Sequence, residues 1–126
     1  MDLACGSGEA TQIVTGLGGS AVGVDPYTHE AYRQHTGQIA QQVAFEDIAV
    51  DGLGDAQYSL VVCSYALHLV EPSWMPGLLY QLGLVAPLLL VASPHKRPDL
   101  TKYPNVTKVA ESCDQRVRMT LYQLPG

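Results

Sequence analysis

Short apolar segments alternate with segments of helical periodicity along most of the chain. Residues 1–5 are mostly apolar, and apolar side chains then recur at helical spacing on one face from Ala10 to Leu17. Tyr58–Cys63 is a largely apolar run, which is typical of a strand buried on both faces of a parallel sheet. This alternation predicts an α/β fold with a doubly wound, mostly parallel, Rossmann-like sheet.

Shorter patterns indicate the other elements. Met75, Leu78, Leu79 and Leu82 give one helix an inward apolar face. The remaining assignments are a strand over Ala21–Val24, a weaker helix over residues 27–38 with Ala31, His35 and Ile39 on one side, a strand over Gln42–Phe45, a strand within residues 84–92, and a C-terminal antiparallel hairpin of Thr107–Cys113 and Arg116–Leu124.

Length and composition limit the class of protein. A chain of 126 residues with 47% hydrophobic and 15% charged residues can form one folded domain, and we predict a single domain over residues 1–126. Three cysteines without a C-x-x-C pair argue against a disulfide framework and a structural zinc site, so we expect no metal and a reducing compartment, the cytoplasm. Leu78–Ser93, the most apolar stretch, is too short and too interrupted to span a membrane.

The charge of the chain disfavours a nucleic-acid partner, because the net charge is −5. Six of the seven lysines and arginines lie in residues 96–126. Two interpretations of this uneven distribution stay open. The C-terminal quarter either presents a weakly positive face to an anionic ligand or forms a solvated strand surface.

The ends of the first two predicted strands carry the residues that suggest a ligand. In a doubly wound sheet, ligands bind beyond the carboxyl ends of the strands. Gly6-Ser7-Gly8 lies between a strand and a helix, where glycine allows a tight turn and a close approach of a ligand to the backbone. Asp25 ends the second strand, 17 residues after Gly8, and can accept hydrogen bonds from both hydroxyls of a ribose. The alternatives are that Gly6-Ser7-Gly8 is only a turn, and that Asp25 is an acid that faces solvent.

The glycine turn departs from a dinucleotide site. The phosphate-binding fingerprint has a third glycine where this chain has Thr11. Glu9 and Asp2 add carboxylates that repel a pyrophosphate but suit a cationic amine or sulfonium. The residues therefore favour a site for a nucleoside with a positively charged tail. The alternative, the cofactor site of a nicotinamide-dependent dehydrogenase, is disfavoured.

Residues 2–11, 23–26, 45–47 and 64–68 resemble, in this order, the motifs of class I S-adenosylmethionine (SAM)-dependent methyltransferases. Residues 93–98, together with the strand Arg116–Leu124, are similar to small eukaryotic members of the methyltransferase 11/25-like group. The resemblance implies SAM as the cofactor and a cofactor-binding set of Asp2, Ala4, Gly6, Ser7, Gly8, Asp25, Pro26, Tyr27, Glu46, Asp47, Ile48 and Ser64.

Within this set, the resemblance implies that backbone around Ala4, Gly6 and Gly8 contacts the methionine part of SAM. Asp2 would fix the amine of that part, directly or through water, and Asp25 would hold the ribose hydroxyls.

Other members of the set would hold the adenine. Pro26 and Tyr27 would flank the ring, Asp47 would accept a hydrogen bond from its amino group, and Ile48 would donate its backbone N–H. Ser64 would lie near the methionine part. A helix or turn cap is the alternative for Asp47, and a satisfied core hydroxyl is the alternative for Ser64.

Methyl transfer needs little covalent help from the protein, because the sulfonium is already activated and alignment does most of the work. A base is needed only if the acceptor must lose a proton. His68 and His95 are weak candidates for that base, and Tyr65 could line the acceptor pocket. Packing or surface roles compete for both histidines, so no catalytic residue is assigned.

Members of the family normally carry further apolar residues before Asp2, and an N-terminal helical segment. We therefore expect an N-terminally truncated form, whose uncovered apolar surface could drive self-association. Two functions stay open. One is a methyltransferase acting on an unidentified small-molecule or macromolecular acceptor. The other is a non-catalytic remnant or partner subunit that keeps the fold and can still bind the cofactor.

Overall fold

The computed structural model describes residues 1–4, 6, 8–25, 29–55, 57–64, 66–93, 99–114 and 117–125, except for the side chains of His29 and His68. The chain divides into two compact units, an N-terminal unit of Met1–Ala44 and a C-terminal unit of Phe45–Gly126. Among the described residues, no helix combines the length and the apolar character that crossing a membrane requires.

The N-terminal unit alternates strands with helices, as predicted. Its elements are β1 (Asp2–Leu3), α1 (Glu9–Gly16), β2 (Gly23–Val24) and α2 (His29–Thr36). The two strands are parallel, with Asp2 opposite Gly23 and Leu3 opposite Val24, and all four residues are buried. Parallel pairing brings the carboxyl ends of β1 and β2 to the same edge, which is where the glycine turn and Asp25 follow.

Helix α1 forms where the periodicity predicts it, but its apolar side chains are not the buried ones. Ile13 is 65% exposed and Leu17 is 85% exposed. The buried residue of α1 is Thr11, at 1% exposure. The helix is oriented by polar contacts of Thr11 with β1, which outweigh the apolar pattern in a helix of only eight residues.

The predicted strand over Gln42–Phe45 is wrong. The chain before Phe45 pairs with β2 through an isolated parallel bridge between Val24 and Gln41, and residues 42–44 have no regular structure. Phe45 begins helix α3 (Phe45–Asp51), whose first turn contains Glu46 and Asp47. Acidic side chains in a first turn favour a helix because they face its positive end.

The C-terminal unit continues from α3 into four strands and a long helix. Its further elements are β3 (Val61–Ser64), α4 (Met75–Val85), β4 (Leu88–Ser93), β5 (Thr107–Asp114) and β6 (Val117–Gln123), with single 3-10 turns at Leu67–Leu69 and Leu100–Lys102. The strands lie in the order β3-β4-β6-β5, with β3 and β4 parallel and the other pairs antiparallel. The predicted hairpin is confirmed.

Helix α4 supplies much of the core of this unit. Met75, Leu78, Leu79 and Leu82 are each 2% exposed or less, which confirms the predicted inward face. Pro76 lies at the start of α4, where a missing backbone N–H removes no helical hydrogen bond.

The hairpin buries one face of β6 and exposes the other. Thr120 and Tyr122 are 4% and 3% exposed, whereas Met119 is 42% exposed. On the surface, Glu111 accepts a hydrogen bond from Lys108 Nζ at 2.8 Å and forms an ion pair with Arg118 Nε at 3.1 Å. Two of the C-terminal basic residues are therefore paired with a carboxylate on the strand surface.

Candidate functional site

The turn from β1 to α1 has an unusual backbone. Ala4, Gly6 and Gly8 have φ values of +53°, +57° and +95°. Glycine adopts this left-handed region without strain, but an alanine there costs about 1–2 kcal/mol. The strain at Ala4 must be supported by its surroundings, so the conformation of this turn is imposed by contacts of the folded chain.

Gly6 combines an open side with a contact to Asp25. In the described part of the chain, leaving out its two neighbours in sequence, a Cβ atom built on Gly6 would meet Glu9 Oε2 alone, at 4.0 Å. The Gly6 N–H donates to Asp25 Oδ2 at 3.3 Å, and Asp25 is 9% exposed. The structure therefore brings together the two features that the sequence singled out, the glycine turn and the acid that ends β2.

Asp2 is buried and turned toward helix α1. Its side chain is 3% exposed, and Oδ2 accepts from the Thr11 N–H at 3.1 Å and from the Thr11 hydroxyl at 2.8 Å. Burial raises the pKa of Asp2 above its ordinary value, although both hydrogen bonds from Thr11 oppose that shift. Asp2 thus ties β1 to the first turn of α1, and its predicted contact with the amine of SAM stays a prediction.

Two residues of this site, Thr11 and Tyr32, are absent from the predicted set. Tyr32 is 0% exposed, and its hydroxyl lies 2.8 Å from Thr11 Oγ1. The side of α2 that the sequence singled out is not the buried one, because Ala31 is half-buried and His35 is exposed, and Ile39 lies beyond the end of the helix. One signal could have identified Tyr32: it is the one aromatic residue in a mostly polar helical segment, and a buried tyrosine needs a hydrogen-bond partner.

Other residues of the predicted set lie in the C-terminal unit. Glu46 and Asp47 are exposed in the first turn of α3, and Ile48 is buried. Ser64 ends β3 and is half-buried, opposite Ala92 of the parallel strand β4. Their predicted contacts with adenine and with the methionine part stay predictions.

Several predicted residues lie outside the described part of the chain. They are Ser7, Pro26, Tyr27, Tyr65 and His95, together with the side chain of His68. Within the part that is described, no group of three histidine, cysteine, aspartate or glutamate side chains could hold a metal ion.

We expect the raised pKa of Asp2 to appear in the pH dependence of stability. Between the ordinary value of 3.8 and the raised value, the folded state binds more protons than the unfolded state. The free energy of unfolding therefore falls as pH rises through this window, and Asp2→Asn should remove that part of the fall. Urea unfolding at a series of pH values measures the difference between the two proteins.

Asp55→Asn is the matched control, since it makes the same change of charge at an exposed position. The effect of this control is subtracted before the comparison. If the free energy of unfolding then depends on pH in the same way in the wild type and in Asp2→Asn, the pKa of Asp2 is not raised.

A family model described as a methyltransferase domain matches residues 1–76. An uncharacterized protein of Schizosaccharomyces pombe is 35% identical over 136 aligned positions, which cover 79% of this chain and 55% of the yeast protein. The chain thus spans about half the length of the curated relative that it matches.

Solved structures share the fold at low sequence identity. A TehB-like SAM-dependent methyltransferase from Corynebacterium glutamicum matches 98% of this chain and 78% of its own, with a TM-score of 0.74 and 12% identity. Magnesium protoporphyrin IX methyltransferase from Synechocystis PCC 6803, solved with bound SAM, matches 99% of this chain and 68% of its own, with a TM-score of 0.62 and 15% identity. These likenesses confirm the predicted Rossmann-like α/β fold.

Proposed function

Because the chain belongs to the methyltransferase domain family, we propose that it binds SAM and transfers its methyl group to an acceptor that is not yet identified. The observation that carries this proposal is the contact between the Gly6 N–H and the Asp25 carboxylate. It joins a turn that leaves room beside its backbone to an acid at the end of β2. The cytoplasmic location indicated by the cysteine pattern is part of the same proposal.

The chemistry of these residues fits SAM. An ionised carboxylate only accepts hydrogen bonds, so Asp25 can receive the two hydroxyl donors of a ribose. Gly6 has no side chain, and among the described residues other than its chain neighbours, only the end of the Glu9 side chain lies within 4.0 Å of where its Cβ would be. Glu9, exposed in the first turn of α1, adds a negative charge that suits a cationic ligand.

The chain's own part in the reaction is to bind and orient. When bound, SAM supplies a methyl group that its sulfonium already activates for transfer. We assign the turn backbone at Ala4, Gly6 and Gly8 to the methionine part and Asp25 to the ribose. Holding both ends of the cofactor fixes the direction in which the methyl group points, and such alignment is the main requirement of an in-line transfer.

We expect Asp25→Ala to weaken SAM binding at least about tenfold, because a hydrogen bond to a charged group contributes about 1.5–3 kcal/mol. Isothermal titration calorimetry with SAM and with S-adenosylhomocysteine measures the effect. Circular dichroism on the same samples shows whether the variant is folded.

The matched control for this experiment is Asp55→Ala, which removes an exposed carboxylate from a loop of the C-terminal unit. It should bind SAM as the wild type does. A folded Asp25→Ala protein that binds SAM with wild-type affinity would refute the proposed site. A wild-type protein that does not bind SAM would refute the proposed function.

A further inference from the structure

We propose that Tyr32 is a positioning residue for the cofactor turn: its buried hydroxyl, acting through Thr11 and Asp2, holds the β1–α1 turn in the one conformation that binds SAM. This inference rests on the proposed function. It concerns a residue of α2 that has no place in the predicted cofactor-binding set, and its argument begins with how the ring is packed.

The ring of Tyr32 packs against two glycines, Gly23 of β2 and Gly8, which precedes α1. A Cβ atom built on Gly23 of β2 would lie 2.6 Å from Tyr32 Cε2, and one built on Gly8 would lie 2.9 Å from Tyr32 Cδ2. Carbon atoms do not approach so closely, so only glycine at both positions leaves room for the ring. The absence of two side chains therefore places the Tyr32 hydroxyl beside the first turn of α1.

The hydroxyl takes part in a chain of buried hydrogen bonds. Tyr32 Oη lies 2.8 Å from Thr11 Oγ1, and Thr11 Oγ1 lies 2.8 Å from Asp2 Oδ2. An ionised Asp2 can only accept, so the single hydroxyl proton of Thr11 points to Asp2. Tyr32 must then be the donor to Thr11. The Tyr32 hydroxyl thus donates to Thr11, and the Thr11 hydroxyl donates to Asp2, so the negative charge lies on the final acceptor.

Because these three residues are buried, water cannot easily replace the hydrogen bonds between them. Tyr32, Thr11 and Asp2 are 0%, 1% and 3% exposed. In such surroundings each hydrogen bond polarises the next, and a group that loses its donor is not compensated by solvent. Removal of the Tyr32 hydroxyl therefore weakens the hold of Thr11 on Asp2 as well as its own contact.

The chain of hydrogen bonds acts on the turn because it ties both ends of it. Asp2 belongs to β1, before the turn, and Thr11 belongs to α1, after it. Between them lie Ala4 in a strained conformation and Gly6, whose N–H contacts Asp25. When these hydrogen bonds are weakened, Ala4 can leave its strained conformation. The distance between the Gly6 N–H and the Asp25 carboxylate then varies. Ligand affinity falls because the binding conformation is less populated.

The test is Tyr32→Phe, which keeps the ring against Gly8 and Gly23 and removes only the hydroxyl. We expect about five- to tenfold weaker binding of S-adenosylhomocysteine, the size expected for one hydrogen bond. The amide NMR signals of Gly6 and Thr11 should also shift in the protein without ligand. Both measurements are made well below the melting temperature of the variant, so that a change in global stability does not contribute.

Two further variants distinguish positioning from packing. Thr11→Val breaks the same chain at its centre and should weaken binding at least as much, whereas Thr11→Ser keeps a hydroxyl and should restore most of it. The double variant Tyr32→Phe/Thr11→Val should bind like Thr11→Val alone, because one chain is broken in both. Tyr80→Phe, at a 59% exposed position on α4, is the matched control and should bind as the wild type does.

Each outcome decides the proposal. Tyr32→Phe with wild-type affinity and unshifted Gly6 and Thr11 signals overturns it, and so do additive losses in the double variant. If Tyr32→Phe does not fold, Thr11→Val and Thr11→Ser provide the same comparison. If the wild type binds no S-adenosylhomocysteine or SAM, the proposed function fails, and the Gly6 and Thr11 signals still show whether Tyr32 holds the turn.

Discussion

Replacing Gly23 with alanine is expected to destabilise the N-terminal unit by about 3 kcal/mol, near the upper end of the cost of overpacking a core. The added Cβ would lie 2.6 Å from Tyr32 Cε2 and 2.8 Å from Tyr32 Oη. Because Tyr32 is 0% exposed, its ring cannot move into solvent without disrupting the unit. Any displacement also lengthens the hydrogen bond from the Tyr32 hydroxyl to Thr11.

Hydrogen exchange measured on peptides of residues 1–44 gives the local free energy of opening for this variant. Gly16→Ala is the matched control, because the Cβ that it adds at the end of α1 has no described heavy atom within 4 Å beyond its chain neighbours and the backbone of the helix itself. That variant should be neutral or up to about 1 kcal/mol more stable, since alanine is the better helix former.

A second comparison identifies the cause of the destabilisation. If the Tyr32 ring is what the new methyl group meets, Gly23→Ala should cost much less in a Tyr32→Ala background than in the wild type. Equal costs in the two backgrounds would show that the cause lies elsewhere, in the backbone of β2 itself.

The sequence predicted those elements whose own pattern of apolar and polar residues is enough to determine their structure. Helix α4 buries all four of the apolar residues that were predicted to face inward, because strands β3 and β4 of the same unit are themselves apolar. The C-terminal hairpin follows from alternation in β6 and a polar turn. In α4 the local pattern also matches the face that is buried, whereas in β6 the buried face carries Thr120 and Tyr122 and not the apolar Met119.

Short elements were predicted less well, because tertiary contacts decide them. In α1 the periodicity indicates which side chains share a face, but not which face meets β1, and Thr11 is buried where Ile13 and Leu17 are not. In residues 42–45 a short apolar segment suits a strand or a helix start equally, and Glu46 and Asp47 favour the helix.

The same limit applies to the candidate site. Asp25 and the glycine turn could be predicted because parallel strands end at one edge of a sheet, so residues far apart in sequence meet there. The packing of Tyr32 could not, although it is the one aromatic residue of a mostly polar segment, because it depends on the missing side chains of Gly8, which precedes α1, and of Gly23 in β2. The pattern of residues within α2 gives no information about the space that these two glycines leave for the ring.

In the C-terminal unit, Leu82→Ala is expected to cost about 3–4 kcal/mol, within the range for removal of a large side chain from a closed core. Leu82 is 0% exposed, and Leu78, Leu79 and Val85 of the same helix are also buried. Such a loss is a large fraction of the roughly 5–15 kcal/mol that stabilises a typical domain. The effect should therefore appear as a clear fall in the urea concentration at the unfolding midpoint.

Leu84→Ala provides the matched control for Leu82→Ala. It makes the same chemical change two residues further along α4, at a position that is 50% exposed, and should cost less than about 1 kcal/mol. The fluorescence of Trp74, the one tryptophan of the chain, reports directly on the start of this helix during unfolding. Equal midpoints for the two variants would mean that α4 does not present Leu82 to the core, and the orientation of this helix would have to be revised.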